Sequence, residues 1–208
     1  MNIVLLGAPG SGKGSAASII TKNYNIPAIS TGDIIRDNIK NKTELGILFE
    51  SYINQGQLVP DELIIELVKD RLTKEDTKPG YILDGFPRTV NQAKALAEFS
   101  EIDYVVYIDV DYDVIEDRIL SRRVCPNCKA VYNTKTYSKS TCEHCGTEII
   151  IRADDNKETI KKRFDVYNEQ TKPLVDFYKE MNKLFVVNGN LSIDEVYILI
   201  DKILKNEG

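Results

Sequence analysis

The sequence has no long apolar run, no excess of basic residues and a single histidine among its 208 residues. No apolar stretch approaches the roughly 20 residues that a helix needs to cross a bilayer, which argues against a membrane protein. The formal net charge of −5 argues against general affinity for nucleic acid or anionic membranes, because both need a basic protein surface. The start of the chain, MNIVLLGAPG, lacks the charged end and long apolar region of a signal peptide. We therefore expect a cytoplasmic protein.

The length and composition are those of an ordinary globular protein. A chain of 208 residues can bury a substantial core, and one domain with insertions is the expected organisation. Hydrophobic residues make up 42% and charged residues 28%, so nothing suggests disorder. The four cysteines fall in two close pairs, which in a reducing compartment favour metal binding over disulfides. No apolar surface stripe demands a partner, so we expect a monomer.

Short apolar runs alternate with amphipathic patterns along the chain. The runs predict buried strands at residues 2–7, 26–30, 81–86, 104–110 and 184–189. The amphipathic patterns predict helices at residues 60–72 and 192–204, and Ser192 with Glu195 forms a capping-box signature. This alternation indicates an α/β fold whose parallel sheet is covered by helices on both faces. Two segments interrupt it and are predicted to be insertions at the rim of the sheet, residues 31–59 and 123–153.

A glycine-rich stretch, GAPGSGKGS at residues 7–15, lies between the first predicted strand and a helix that we expect to begin near Lys13. This placement is typical of a phosphate-binding loop, although a glycine-rich turn without a ligand is the alternative. The loop N–H groups and the helix N-terminus attract phosphate, and Lys13 adds a positive charge. Gly14 separates Lys13 from the hydroxyl of Ser15, a departure from the usual loop. The candidate phosphate ligands are Gly10, Ser11, Gly12, Lys13, Gly14 and Ser15.

Seven motifs in order carry a family resemblance. They are GAPGSGKGS (7–15), STGDIIR (30–36), GQLVPDELI (56–64), LDGFPRT (83–89), SRRVC (121–125), RADD (152–155) and KKRF (161–164). The set resembles the adenylate kinases over essentially the whole chain, and the cysteines resemble those of the zinc-bearing bacterial subset. The family usually has Thr where this chain has Ser15. The resemblance implies a three-layer α/β/α core of the P-loop type with a five-stranded parallel sheet, a helical AMP-binding insertion and a zinc-binding lid. The implied boundaries are 1–29, 60–120 and 156–208 for the core, 30–59 for the insertion and 121–155 for the lid.

The resemblance also implies reversible phosphoryl transfer from MgATP to AMP, giving two ADP, with a lid that closes on hinges near Ser121 and Ala153. Such a reaction needs positioning and charge neutralisation more than covalent chemistry, and the planar guanidinium of arginine suits phosphate. No general base is required, because the attacking group is already a phosphate oxygen. The implied catalytic residues are Lys13, Asp84, Arg88, Arg122, Arg152 and Arg163.

The same resemblance implies two nucleotide sites. Beyond the phosphate loop, the implied ATP contacts are Arg118, packed against adenine, with Arg122, Val131, Tyr132 and Leu191. The implied AMP contacts are Thr31, Arg36, Gln57, Leu58, Val59, Gly85, Phe86, Pro87, Arg88, Gln92, Arg152 and Arg163. Gln92 would hydrogen-bond the AMP base, and Gly85 would let the main chain approach it. Thr31 favours AMP, since related enzymes for UMP or CMP typically have Ala there.

For several acidic residues, the sequence allows two interpretations. Asp84 ends a predicted strand, where ligands of open parallel sheets bind, and is implied with Ser15 to hold Mg²⁺ partly through water. Its alternative is capping of the following helix. Asp33 could cap its own helix or lie near the metal. Asp154 and Asp155 are implied to help lid closure, with solvated hinge acids as the alternative, and we interpret Arg123 as a structural lid residue.

The two Cys-x-x-Cys pairs, Cys125 with Cys128 and Cys142 with Cys145, are separated by thirteen residues. Four thiolates satisfy tetrahedral zinc and leave no open position, so we predict a structural Zn²⁺ that stiffens the lid. A redox role is the rival for one such pair, but the thioredoxin-like context is missing. His144 lies between two of the cysteines; it is a poor catalyst candidate and is not needed as a ligand.

Two alternatives to an adenylate kinase stay open at this stage. The first is the same fold acting on another nucleoside monophosphate. The second is a nucleotide-dependent nucleic-acid-binding protein that uses the cysteine pairs as a zinc ribbon. Its stacking and phosphate-binding surface would comprise Lys129, Tyr132, Lys135, Tyr137 and Lys139. The acidic net charge counts against the second, so the expected partners are ATP, AMP and ADP, without nucleic acid or membrane.

Overall fold

The structure, a computed structural model, describes residues 1–205. A parallel sheet in the order β2-β3-β1-β4-β7 forms its centre. The strands are β1 Asn2–Leu6, β2 Ala28–Ser30, β3 Tyr81–Asp84, β4 Tyr104–Asp109 and β7 Leu184–Asn188, and a separate antiparallel pair is β5 Arg122–Val124 with β6 Val131–Asn133. The helices are α1 Lys13–Tyr24, α2 Thr31–Lys40, α3 Glu44–Ile53, α4 Asp61–Leu72, α5 Val90–Phe99, α6 Tyr112–Leu120, α7 Lys157–Val166, α8 Pro173–Glu180 and α9 Ile193–Leu204. Two short turns of other helix types complete them, Glu75–Thr77 and Tyr167–Thr171.

The central strands are apolar because helices cover the sheet on both sides. Val4 and Val105 face the layer that includes α4, α5 and α8, whereas Ile3 and Leu5 face α1 and α9. All four side chains are at most 1% exposed. The predicted three-layer α/β/α architecture with a five-stranded parallel sheet is therefore confirmed.

The predicted strands extend one or more residues beyond the observed ones at several ends. β1 stops at Leu6, before Gly7, and β3 stops at Asp84, before Gly85. Both glycines have positive φ, +148° and +84°, so the chain leaves the sheet there. Residues 26–27 also fall outside β2. The strand ends thus turn into the loops that carry the candidate site.

The predicted helices agree with the structure at their starts. α1 begins at Lys13, and α4 begins directly after Pro60. Ser192 and Glu195 form the predicted capping box of α9: the Ser192 hydroxyl accepts from the Glu195 N–H, while the Glu195 carboxylate accepts from the Ser192 N–H. Local sequence signals therefore place these helix ends.

The two predicted insertions are built differently. The first holds α2 and α3, which pack against each other. The second is the β5–β6 pair, extended by the bridges Val124–Ile150 and Thr141–Glu148. Cys125, Tyr132 and Cys142 are buried together in the second insertion and form a small core of its own. Within the described residues, no helix has the length and apolar character needed to cross a membrane.

Candidate active site

The phosphate loop joins β1 to α1 and leaves the N-terminus of α1 open. Gly12 precedes the helix with φ of 100°, a left-handed conformation that glycine adopts without steric cost, and no side chain caps the helix. The first N–H groups of α1 therefore remain available to an anion. Lys13 folds back over the loop, and its Nζ donates to the carbonyl oxygens of Gly7 at 2.8 Å and Ala8 at 2.9 Å.

The charge on Lys13 is destabilised where it lies. Burial lowers the pKa of Lys13 from 10.5 to about 8, while the nearby Asp84 carboxylate acts in the opposite direction. An amine held this way gains strongly from an anionic ligand, because a phosphate would restore the electrostatic stabilisation that water supplies at the surface. This arrangement fits the predicted phosphate-binding role of Lys13.

Asp84 lies at the carboxyl end of β3, between Leu5 of β1 and Ser30 of β2 in the strand register. Its Oδ2 would be 3.5 Å from a Cβ placed on Gly14, so the carboxylate faces the first turn of α1, which also contains Ser15. The helix-capping alternative for Asp84 is wrong. The hydroxyl of Thr89 caps α5 instead, accepting from the Gln92 N–H at 3.1 Å. The Asp84 carboxylate and the Ser15 hydroxyl offer oxygen ligands, which Mg²⁺ prefers. These two residues therefore fit the implied ion.

Five predicted arginines converge on the space between the phosphate loop and the two insertions, Arg36, Arg88, Arg122, Arg152 and Arg163. Burial, with further lowering from neighbouring arginines, brings the pKa values of Arg88 and Arg152 down to about 10. Burial also lowers the pKa of Arg163. Mutually repelling cations held in a cleft indicate a site built for an anion of high charge.

Two of these arginines are each held by a carboxylate of the RADD motif. Arg122 forms a two-pronged ion pair with the buried Asp155, with Nε 2.8 Å from Oδ2 and Nη2 against Oδ1. Arg163 Nη1 lies 2.8 Å from Asp154 Oδ2. The alternative of solvated hinge acids is therefore wrong, because Asp155 is only 8% exposed and Asp154 is half-buried.

Asp33 has a role that neither sequence interpretation included. Ser30, and not Asp33, caps α2, since its hydroxyl accepts from the Asp33 N–H. The Asp33 carboxylate pairs with Arg36 at 2.5 Å, and Arg152 Nη2 lies 3.9 Å from it. Burial raises the pKa of Asp33, but the Arg36 guanidinium outweighs it and brings the pKa below its usual value. The sequence signal for these ion pairs is the occurrence of acidic residues and arginines close together in TGDIIR and RADD.

A cleft beside the arginines brings together many of the residues that are predicted to contact AMP. Its lining includes seven of the predicted contacts, Thr31, Gln57, Leu58, Val59, Gly85, Arg88 and Gln92, with three apolar residues that the sequence did not indicate, Ile35, Ile53 and Ile64. Thr31 Oγ1 donates to the Gly85 carbonyl at 2.9 Å. A Cβ at residue 85 would lie 2.8 Å from that hydroxyl, so the close approach requires glycine. Phe86 and Pro87 are buried beneath the loop, with Phe86 in the core.

Arg118 and Leu191, two of the predicted ATP contacts, lie next to each other. The Arg118 guanidinium donates to the carbonyls of Gly189 at 2.8 Å and Leu191 at 3.0 Å. Val131 is exposed, whereas Tyr132 is only 8% exposed and its hydroxyl contacts Cys142 Sγ at 3.0 Å. The proposed nucleic-acid stacking surface is therefore wrong at Tyr132, because its ring is not available at the surface.

The four cysteines form one cluster that could hold a metal ion. Their Sγ atoms all lie within 4.8 Å of one another, with Cys125–Cys145 and Cys128–Cys142 both at 3.4 Å. The sulfurs of a tetrahedral zinc site lie about 3.8 Å apart when each bond is about 2.3 Å, so the geometry fits Zn²⁺. His144 is outside the cluster and exposed, with Nε2 3.9 Å from Glu143.

Comparison with known proteins identifies the family of the chain. The family model described as adenylate kinase matches residues 5–183. The chain is 51% identical to the adenylate kinase of Clostridium perfringens (strain SM101 / Type A) and 49% identical to that of Clostridium novyi (strain NT), in each case over the full length of both chains. It is also 51% identical to the adenylate kinase of Finegoldia magna, over 94% of this chain and 95% of that one. The chain therefore belongs to the adenylate kinase family.

Proposed function

We propose that the arginine-lined cleft carries out the adenylate kinase reaction, in which ATP and AMP exchange a phosphoryl group to give two ADP. An AMP phosphate oxygen forms a bond to the γ-phosphorus of ATP while the bond from that phosphorus to the bridging oxygen of ADP breaks. The single observation that carries this proposal is the convergence of Arg88, Arg122 and Arg163 on Lys13, with Asp84 beside them. Charge neutralisation of this kind is the main requirement of phosphoryl transfer.

The phosphate loop would hold the ATP phosphates. Its N–H groups and the start of α1 would bind phosphate oxygens, and Lys13 would exchange its two carbonyl contacts for them. Arg118 and Leu191 would lie against the adenine of ATP. Mg²⁺ bound with the nucleotide would neutralise charge on the phosphates. Asp84 and Ser15 would hold that ion, partly through water.

The carboxylates would keep the arginines oriented before the nucleotides arrive. Asp155 fixes the plane of Arg122, Asp154 fixes Arg163, and Asp33 fixes Arg36. A preorganised donor needs little rearrangement as charge develops in the transition state, which is how electrostatic catalysis gains over water. Arg152 and Arg88 would complete the ring of cations around the transferred group.

The acceptor side would bind AMP between Thr31, Gly85 and Gln92, with Arg36 and Arg88 on its phosphate. The apolar wall of Ile35, Ile53 and Ile64 suits a purine ring. The cysteine cluster would hold a structural Zn²⁺, and residues 121–155 would act as the lid that excludes water. The insertion and lid boundaries, the monomeric state and the cytoplasmic location stay predictions.

The direct test measures ADP formation from ATP and AMP with and without Mg²⁺. We expect turnover with Mg²⁺ and very little after chelation. Asp84→Asn should raise the Mg²⁺ concentration needed for half-maximal rate. The control is Asp103→Asn, because Asp103 precedes β4 at the amino ends of the strands, away from Asp84, and accepts from the Asn2 N–H there. Equal rates with and without Mg²⁺ would contradict the proposal.

A further inference from the structure

The side-chain amide of Gln92 is buried and fixed from two directions. Gln92 is only 1% exposed. Its Nε2 donates to Asp61 Oδ1 at 2.7 Å, and its Oε1 accepts from the main-chain N–H of Arg88 at 2.7 Å. A main-chain N–H can only donate, and Asp61 presents an accepting oxygen, so both contacts require the same orientation of the amide. Turning the amide over would place donor against donor and acceptor against acceptor.

Asp61 is itself held in place, so its contact with Gln92 is firmly directed. It is the first residue of α4. Its second oxygen, Oδ2, accepts from the Thr89 hydroxyl at 2.7 Å and from Asn91 Nδ2 at 3.1 Å. Both carboxylate oxygens are therefore engaged by the segment that begins α5. This network ties the start of α4 to the residues around Gln92.

The locked amide keeps half of its hydrogen-bonding capacity. A glutamine amide has two N–H donors and two lone pairs on its oxygen, and Asp61 and Arg88 each use one. One donor and one acceptor remain for a ligand in the cleft that Gln92 lines. Adenine presents an amino donor beside a ring-nitrogen acceptor. A 6-oxopurine presents the reverse order, an oxo acceptor beside a ring N–H donor.

We propose that Asp61 is a positioning residue that sets the preference for adenine over 6-oxopurines by preventing the Gln92 amide from turning over. A freely rotating amide could satisfy either base, whereas a fixed amide matches one and opposes the other. Discrimination then comes from a mismatched pair of buried polar groups, which is more selective than a difference in shape. The inference rests on the proposed placement of AMP against Gln92.

The experiment compares AMP with inosine monophosphate, which differs from AMP at this edge of the base. For the wild type, Asp61→Asn and Asp61→Ala, kcat/KM is measured for both acceptors with ATP as donor, and the inhibition constant of inosine monophosphate is measured against AMP. We expect both variants to lower the preference for AMP by roughly tenfold, the effect of one relieved hydrogen-bond mismatch in a buried site. Asp61→Asn nearly preserves the shape of the side chain, so it keeps the comparison available if Asp61→Ala does not fold.

The matched control is Asn91→Ala, which removes one contact from the same carboxylate but leaves the contact with Gln92. Its preference should equal that of the wild type. If Asp61→Asn lowers only the melting temperature and leaves the preference unchanged, Asp61 is merely structural and the inference fails. Gln92→Leu distinguishes a failure of the proposed AMP placement from a failure of the proposed role of Asp61. An unchanged preference in Gln92→Leu would overturn the placement of AMP itself, whereas a collapse there with no effect at Asp61 would overturn only the role of Asp61.

Discussion

Lys129, between the two cysteine pairs, forms an ion pair with Asp37 of α2, so the segment of β5 and β6 contacts the segment of α2 and α3. The two residues are 92 positions apart in the chain. Lys129 also adopts a left-handed backbone conformation with φ of 64°, which costs a lysine more than it costs a glycine. A strained residue therefore supplies a direct link between the two insertions.

This ion pair should contribute modestly to holding the two insertions together. Both side chains are more than a third exposed, which limits their coupling to about 1 kcal/mol, a factor of about five in an equilibrium. Lys129→Met and Asp37→Asn should each lower kcat/KM for AMP by up to that factor, and the double variant should lose no more than the larger single effect. A double-mutant cycle at low and high salt measures this coupling. Fully additive losses would show that the two residues act independently.

The backbone strain at Lys129 makes a separate prediction for stability. Lys129→Gly and Lys129→Met both remove the ion pair, but only glycine also relieves the positive φ. We expect Lys129→Gly to be more stable than Lys129→Met by about 1 kcal/mol, measured by denaturant unfolding. A less stable glycine variant would mean that chain entropy outweighs the strain at this position.

Arg122 and Arg123 provide a matched pair for the catalytic role of arginine. Arg122 faces the cleft and pairs with Asp155, whereas the Arg123 guanidinium bonds the main-chain carbonyl of Arg122. Arg122→Ala should lower kcat by about a thousandfold or more, as expected for an arginine that stabilises transferred phosphate. Arg123→Ala should stay close to the wild-type rate. Equal effects at the two positions would argue that the arginines only support the fold of this segment.

The pKa of Lys13 predicts an alkaline limit in the free enzyme. Its pKa of about 8 means that the amine loses its proton above that pH. We expect kcat/KM for ATP to fall about tenfold per pH unit above pH 8, whereas kcat should hold to higher pH because bound phosphate retains the proton. A kcat/KM profile that is flat to pH 9.5 would contradict this role.

The Lys13 amine also makes the free energy of unfolding depend on pH. The unfolded chain binds the Lys13 proton up to about pH 10.5, whereas the folded chain releases it near pH 8. Because the unfolded state holds more protons in this window, the free energy of unfolding of the nucleotide-free protein should rise between pH 8 and 10.5. Lys13→Met should remove this contribution, which urea unfolding at several pH values measures.

The cysteine cluster predicts a metal that stabilises without taking part in the reaction. Cys125→Ser should lose bound zinc, measured by elemental analysis, and should lower the melting temperature. Its rate, measured where it is still folded, should stay near that of the wild type. His144→Gln is the control, because the exposed His144 lies outside the cluster and its loss should leave the zinc in place. Loss of turnover with metal and fold intact would contradict the structural role.

The structural features that depend on local sequence patterns could be predicted. Strands buried on both faces leave continuous apolar runs, and the phosphate loop leaves glycines at fixed spacing, so β1, α1 and Lys13 could be placed correctly. Long-range pairing leaves no such signal. The contacts between Asp61 and Gln92 and between Lys129 and Asp37 join residues 31 and 92 positions apart, and neither could be predicted.

The wrong interpretations have a common physical cause. From residue type alone, an exposed or local alternative exists for Asp84, Asp155 and Tyr132. Tyrosine has a polar tip and a large apolar body, so its type does not decide between a surface platform and the interior. The fold then buried Tyr132 against Cys142 and placed Asp155 beneath Arg122.

Transfer of phosphate from ATP to AMP in this cleft is best tested with a panel of acceptors. Purified protein with MgATP is given AMP, GMP, UMP or CMP in turn, and formation of both diphosphates is followed. We expect rapid turnover with AMP, reversal from ADP alone, and far lower kcat/KM with the other three acceptors. A higher kcat/KM with any other monophosphate, or no turnover with AMP, would contradict it.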